Sequence, residues 1–308
     1  MNNPLQTGDA TRADEARVAL VTCRELPDLE DDDRLVIEPL ARLGIRAEPA
    51  VWDDPAVDWA AYDLAVLRSP WDYFYRRPAF VAWAHSVPRL ANPAAVVEWN
   101  TDKRYLRELA AAGVRVVPTT WIEPDDEFTP PGGDYVVKPA VSAGSKDTGR
   151  YGPAEADLAA AHVRRLQDAG RLVMVQPYLP AVDTYGETAL LHFADPETGE
   201  LAYSHAIRKG PMLTGPDTGV ESLYVPEAIE PREPTPDEFE VARQVLAAAP
   251  PGLLYARVDL IPGADGRPVL VELELTEPSV FLAYSTEAPT KLAAAIKGYL
   301  RQMSESSM

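Results

Sequence analysis

The chain has 308 residues, a formal net charge of −19, 46% hydrophobic and 25% charged residues, and one cysteine. That length exceeds one ordinary core and suits two or three packed modules. So acidic a surface repels a phosphate backbone, which speaks against nucleic acid as a partner. No apolar run approaches the roughly 18 residues that span a bilayer, so no membrane partner is expected. The polar N-terminus carries no apolar signal segment, and the lone Cys23 fits a reducing, cytoplasmic setting.

Residues 1–16 are polar and aperiodic, and read as a disordered tail. A β-α alternation follows. Arg17–Thr22 and Asp63–Arg68 are short apolar runs of the buried-strand type, and residues 33–44 and 78–86 read as helices, the first closed by Gly44. Strands alternating with helices predict a parallel sheet over 17–99. A second region, 100–180, begins with a helix over 101–112 closed by Gly113. Strands at 115–120, 134–138 and 171–176 follow, with a helix between Pro153 and Ala169, as in a small α+β lid. The third region, 181–308, is β-rich. Strands at 186–194 and 201–208 flank the turn 195–199, Thr235-Pro-Asp-Glu238 has the capping-box pattern, and a second hairpin joins 254–261 to 269–275. A helix over about 287–302 ends the chain.

The last hairpin carries the strongest chemical signal. Glu272 and Glu274 are two apart in a strand and share a face, with Leu273 and Leu275 behind; the hairpin sets Asp259 beside them. Crowded carboxylates suit a hard cation such as Mg²⁺, and the pattern leaves open the alternative of a solvated acidic edge strand. Lys103 opens a helix. Lys138 ends an apolar strand ahead of the small-residue loop 142–148, with Ser142, Gly144 and Ser145, a pairing of backbone cradle and ammonium that suits phosphates. Neither a Walker A sequence nor a G-x-G-x-x-G is present. Gln176, Pro177, Tyr178 and Leu179 end a strand and offer backbone groups to an adenine edge, and Glu187 follows at a distance that suits ribose hydroxyls. Taken singly, each of these is also an ordinary strand, turn or surface lysine.

In this order the pieces resemble the ATP-grasp superfamily, which includes glutathione synthetase and D-alanine–D-alanine ligase. The resemblance spans roughly residues 90–300. It implies a mixed α/β and α+β fold: an N-terminal pre-ATP-grasp α/β domain, a small lid subdomain and a C-terminal antiparallel sheet. It implies ATP on Lys103, Lys138, the 142–148 loop, the 176–179 hinge and Glu187. It further implies Arg208 at the transferred phosphoryl group, and two Mg²⁺ ions (Mn²⁺ as the alternative) on Asp259, Glu272 and Glu274. Gln176 departs from the usual Glu of this pattern, and Glu274 from the usual Asn. The segments Leu67–Tyr73, Trp99–Lys103 and Glu272–Ser279 resemble an actinobacterial branch associated with D-cycloserine synthetase, a cyclo-ligase of O-ureido-D-serine.

The expected activity is therefore carboxylate–amine ligation through an acyl phosphate, on a small amino-acid-like substrate. An intramolecular cyclo-ligase, a two-substrate ligase with a further pocket from loop 212–222, and a non-enzymatic nucleotide binder are the competing classes. Arg68 and Ser69 follow a parallel strand's C-terminal end, where open α/β sheets bind ligands, and are expected, with Arg208, Lys209 and Ser279, to meet the substrate. Cys23 and His205 read as structural, and a homodimer remains open.

Overall fold

The computed structural model describes residues 15–219 and 228–306. The tail expected over 1–16 lies outside the described residues as far as 14, and Ala16 already belongs to the first strand. β1 (Ala16–Thr22), β2 (Ile45–Val51), β3 (Leu64–Ser69) and β4 (Leu90–Ala91) form a parallel sheet in the order β2-β1-β3-β4. The two central strands are apolar on both faces. Val18, Leu20 and Val66 look one way, and Val21 and Leu67 look the other, toward Phe80 and Ala84 of α2 (Arg77–Ser86). α1 (Ile37–Arg42), preceded by a 3-10 turn over Asp33–Val36, lies on the first face.

The helix expected over 101–112 begins later, at Tyr105, and a separate helix not expected from the sequence precedes it. α3 (Ala94–Asn100) and α4 (Tyr105–Ala111) are separated by a turn, where the Asp102 carboxylate accepts from the Arg104 N–H at 3.0 Å. A short acidic side chain bonded to its own backbone competes with helix continuation. The break lets the Lys103 N–H donate to the Ala140 carbonyl at 2.9 Å, which fixes that lysine against the lid.

The lid sheet, order β5-β8-β6-β7, is built from β5 (Thr120–Ile122), β6 (Tyr135–Pro139), β7 (Gly149–Tyr151) and β8 (Val173–Pro177). Tyr135, Val137, Val173 and Val175 pack on α5 (Ala156–Asp168), which leaves Val136, Lys138 and Gln176 on the other face. Residues 115–117, expected in a lid strand, instead meet the central sheet: Val117 donates to the Leu270 carbonyl.

After a single helical turn, α6 (Ala181–Thr184), the chain enters the central antiparallel sheet. β9 (Glu187–Ala194), β10 (Leu201–Lys209), β11 (Ile229–Pro231), β12 (Tyr255–Pro262) and β13 (Pro268–Glu274) lie in the order β11-β10-β9-β12-β13. α7 (Pro236–Ala248), opened by the expected Thr235–Glu238 capping box, packs with α4 behind Leu190, Val258 and Leu273. α8 (Ala288–Ser306) wedges between the front of β9 and the first face of the N-terminal sheet.

Two buried asparagines stitch these layers together. The Asn92 amide donates to the carbonyls of Tyr255 (3.0 Å) and Leu275 (2.6 Å), and its oxygen accepts from the Leu254 N–H (2.6 Å). Asn100 does the same at the end of β13, donating to Leu273 and accepting from Leu275 and Thr276. Replacing Asn92 with Ala leaves the buried Leu254 N–H without its acceptor, at a cost of about 2–4 kcal/mol for the bridge as a whole. A urea titration should show a lower midpoint at unchanged slope, and an unchanged midpoint would mean that the bridge adds nothing.

Candidate functional site

Strand register puts the chemistry on one face of the central sheet. Asp259 pairs with Glu272 and Arg257 with Glu274 across β12 and β13, while Lys209 pairs with Glu187 across β10 and β9. Asp259 also stands opposite Ala189 on β9, so every one of these side chains points toward the lid. Between this face and the lid lies a cavity of about 550 Å³, within the roughly 300–1,000 Å³ of small-molecule sites. Its walls include Lys138, Gln176, Pro177, Tyr178 and Leu179 from the lid side.

Each carboxylate faces a cation. Lys209 Nζ lies 2.8 Å from Asp259 Oδ2 and also pairs with Glu187. Arg257 holds Asp259 through Nε and Nη2, both at 2.9 Å, pairs with Glu274, and donates to the Ser279 carbonyl at 3.1 Å. Lys103 Nζ sits 3.0 Å from Glu272 Oε1 and donates to the Ser142 carbonyl at 2.9 Å. Lys138, at the end of β6, is buried against the cavity; that burial lowers its pKa, against the pull of Glu272. The loop after it turns tightly, with Gly144 and Ser145 in left-handed conformations, and both line the cavity.

The cavity's charge is unevenly compensated. Burial raises the Asp259 pKa, but Arg257 and Lys209 outweigh it and hold the group well below the ordinary carboxylate range. Glu272 is likewise lowered, since Lys103 and Lys138 overcome its burial. Glu274 goes the other way: burial and the neighbouring Glu272 and Asp259 outweigh Arg257 and push it up to about 7. About a quarter of the Glu274 side chain is accessible, but what it meets is the cavity and not bulk water. Glu277, which lines the same cavity and hydrogen-bonds Tyr73, is pushed up to about 8 by burial and then by Glu274.

Several sequence expectations need correction. Arg208 does not reach the cavity. It alternates with Lys209 on β10 and donates to the carbonyls of Tyr185 (2.7 Å) and Thr184 (3.1 Å). The positive φ of Gly186 belongs to this packing, since a Cβ there would stand 2.7 Å from Arg208 Nε. Arg68 is fully buried against Asp33 at 2.9 Å, donates to the Pro278 carbonyl, and meets no cavity; Ser69 is buried beside Thr22. Three basic side chains, Lys103, Lys209 and Arg257, contact the acidic trio. Among the described residues no group of three His, Cys, Asp or Glu side chains is arranged for a metal. Asp259 and Glu272 nonetheless offer register-paired hard oxygens, a donor set whose chemistry fits Mg²⁺. Lys209 and Ser279 do line the cavity; His205 bonds the Val280 carbonyl, and Cys23 is buried, its thiol pushed up to about 11. Sequence reasoning missed Arg257 and Glu277. Arg257 was legible in principle, being two residues from Asp259 on the same strand.

Comparison with known proteins gives this geometry its class. The fold matches, at TM-score 0.62 and 21% identity over 93% of this chain and 100% of that one, an ATP-grasp RimK-domain protein from Sphaerobacter thermophilus. It matches equally, at TM-score 0.62 and 16% identity (94% and 99% covered), the D-alanine–D-alanine ligase of Bacillus anthracis complexed with ATP. The chain therefore has the fold of the ATP-grasp ligases. A family model described as the N-terminal domain of D-cycloserine synthetase DcsG matches residues 18–92. The cycloserine biosynthesis protein DcsG of Streptomyces lavendulae is 37% identical over 305 residues, 92% of this chain and 99% of that protein. The crystal structure of D-cycloserine synthetase DcsG aligns with TM-score 0.83 at 36% identity, covering 92% and 100% of the two chains. The chain thus belongs to the DcsG family. No helix among the described residues is long and apolar enough to cross a membrane.

The raised Glu277 pKa has a thermodynamic consequence. Between its ordinary value of 4.5 and about 8, the unfolded carboxyl ionises while the folded one keeps its proton. The folded state then binds more protons, so stability falls as pH rises through that window. Glu277→Gln should match wild type near pH 4.5 and melt about 2–5 °C higher at pH 8–9. A variant that melts lower than wild type at pH 8.5 would reverse the sign and place Glu277 in a stabilising pair.

Proposed function

We propose that the protein forms an amide bond within one amino-acid-like molecule, with ATP converting its carboxylate to an acyl phosphate. The product we infer is D-cycloserine, after the 37%-identical cycloserine biosynthesis protein and the D-cycloserine synthetase of similar fold, and the substrate is the O-ureido-D-serine that the sequence resemblance implies. The observation that carries the ATP half of the reading is the set of four buried basic side chains, Lys103, Lys138, Lys209 and Arg257, facing one cavity.

In this reading the adenine lies between Val136 and Ile261 and meets the backbone of 176–179, and Glu187 receives the ribose. Lys103, Lys138 and the turn at Ser142, Gly144 and Ser145 take the phosphates. Lys209, not Arg208, reaches the transferred phosphoryl group. Asp259, Glu272 and Glu274 would hold Mg²⁺, one ion or two, which when bound neutralises phosphate charge. Arg257 faces the substrate carboxylate and stabilises the charge that grows on its oxygen as the acyl phosphate is attacked. Ser279 and the Trp71–Tyr73 loop close the substrate end. The attacking nitrogen forms the C–N bond as phosphate leaves, and the carbamoyl group it carries in O-ureido-D-serine is cleaved by one water and lost as CO2 and NH3. The walls exclude water, which would otherwise hydrolyse the acyl phosphate. The setting we infer is cytoplasmic, and a homodimer is a matter for sizing experiments.

The test is ADP release with O-ureido-D-serine, D-serine or D-alanine, each alone and with a second amine, followed by mass analysis of products. Turnover on one substrate alone, with a cyclised product, supports the reading; turnover only with a second amine supports a two-substrate ligase. Arg257→Ala should lower kcat about 10²–10³-fold, and Lys209→Ala should lower it while Arg208→Ala leaves it within about threefold. Equal losses from Lys209→Ala and Arg208→Ala would refute the assignment of Lys209.

A further inference from the structure

Two loops from different sheets meet over the phosphate end of the cavity. One is the lid turn 142–148. The other, residues 210–219, leaves β10 directly after Lys209. Gly144, Ser145 and Thr148 from the first, with Met212 and Leu213 from the second, line the cavity together. A second hollow of about 170 Å³ lies between the two loops.

One side chain bridges them. Arg165, in the last turn of α5, donates through Nη1 to Asp147 Oδ1 at 3.0 Å and through Nη2 to Asp217 Oδ2. Asp147 is itself held in a left-handed conformation (φ 52°) and pairs with Arg171, which also donates to the Val141 carbonyl at 2.8 Å. The strap is stitched to the lid by backbone too. Arg150 N–H donates to the Gly215 carbonyl at 2.9 Å, and the Asp217 N–H to Tyr151 Oη at 3.2 Å. Gly149 marks how close the chains come, since a Cβ there would stand 2.6 Å from the Asp217 nitrogen. Arg165 itself is half exposed, so it holds the loops without belonging to the lid's core.

We propose that Arg165 is a positioning residue that clasps loop 210–219 to the lid turn 142–148, closing the phosphate end of the cavity and setting how fast nucleotide leaves. The inference rests on the reading of this cavity as the nucleotide site. Two partly exposed ion pairs, sharing one guanidinium, give a clasp strong enough to bias the loops yet weak enough to open in each turnover.

The experiment is stopped-flow release of a fluorescent N-methylanthraniloyl ADP in the presence of Mg²⁺. Arg165→Ala and Asp217→Asn should each speed release about 3- to 10-fold, the size of one or two such pairs, and the double variant no further. Arg165→Lys, which keeps the charge and loses the fork, should fall between. Raising salt to 0.5 M should speed wild-type release by a larger factor than release from Arg165→Ala, a difference that a structural role alone would not give. Should Arg165→Ala melt early, the near-isosteric Asp217→Asn carries the test. Folded variants releasing nucleotide at the wild-type rate overturn the clasp alone. A wild-type chain that binds none of the probe overturns the nucleotide reading, and the clasp with it.

Discussion

Charge balance in a desolvated cavity is the constraint on which the rest of this structure depends. Four basic side chains and the acidic groups around them are drawn out of bulk water onto one sheet face and one lid face. Ions so placed lose hydration that their mutual attraction only partly restores, so such a cluster is poor material for stability alone. It persists because the register of four strands leaves the groups no other place. Arg257 and Asp259 are two apart on β12, Glu272 and Glu274 two apart on β13, and the pairing sets each opposite its partner. The apolar back of the same strands, Val258 and Leu273 against α4 and α7, holds that register, because a slip by one residue would bury the charges.

The surrounding layers aim this face. Asn92 and Asn100 tie the exit of the parallel sheet to the end of β13 through bonds to backbone, so they fix position without adding charge. The turn between α3 and α4 presents Lys103 to Glu272 from one side, while β6 presents Lys138 from the other. Lys103, Lys209 and Arg257 each pair with at least one of the cavity's carboxylates, and Lys209 serves Asp259 and Glu187 together.

Much of this was legible in the sequence. The two hairpins, the capping box at Thr235 and the buried strands at 17–22 and 63–68 follow from period, turn chemistry and composition, and the structure has them. β2 was not legible, because Ile45–Val51 carries Arg46, Glu48 and Pro49 and lies at the sheet's edge, where one half of the pattern faces water. β4, β7 and β11, each two or three residues long, are too short for any period to register. The start of α4 was set too early because Thr101-Asp-Lys-Arg104 reads as a helix opening, whereas these residues form the turn between α3 and α4. At the site, the choice between Arg208 and Lys209 turns on strand parity. Neighbouring residues face opposite ways, and a one-residue uncertainty in where β10 pairs exchanges their roles. Arg68 misled for a different reason: the C-terminal end of a parallel strand points to ligand in an open sheet, but here residue 278 of the C-terminal region covers it.

Glu274 brings the constraint to its sharpest point. The ATP-grasp pattern has a neutral Asn at this position, whereas here a fifth carboxyl group joins those of Asp259, Glu272, Glu187 and Glu277. Arg257 answers it, spanning Asp259 and Glu274 with one planar fork. An asparagine could not balance that guanidinium, and a lysine at 257 could not span both acids. The two residues therefore make sense only together. Yet the balance is incomplete, since Glu274 stays raised to about 7 despite its partner. A group so poised changes its proton occupancy with small changes in the charge around it, and binding of a nucleotide with its cation is a large one. Its neighbour Glu277, raised further still, extends the same responsiveness toward the substrate end. Glu274 and Glu277 are therefore the two carboxyls of the cavity whose charge its cations compensate least.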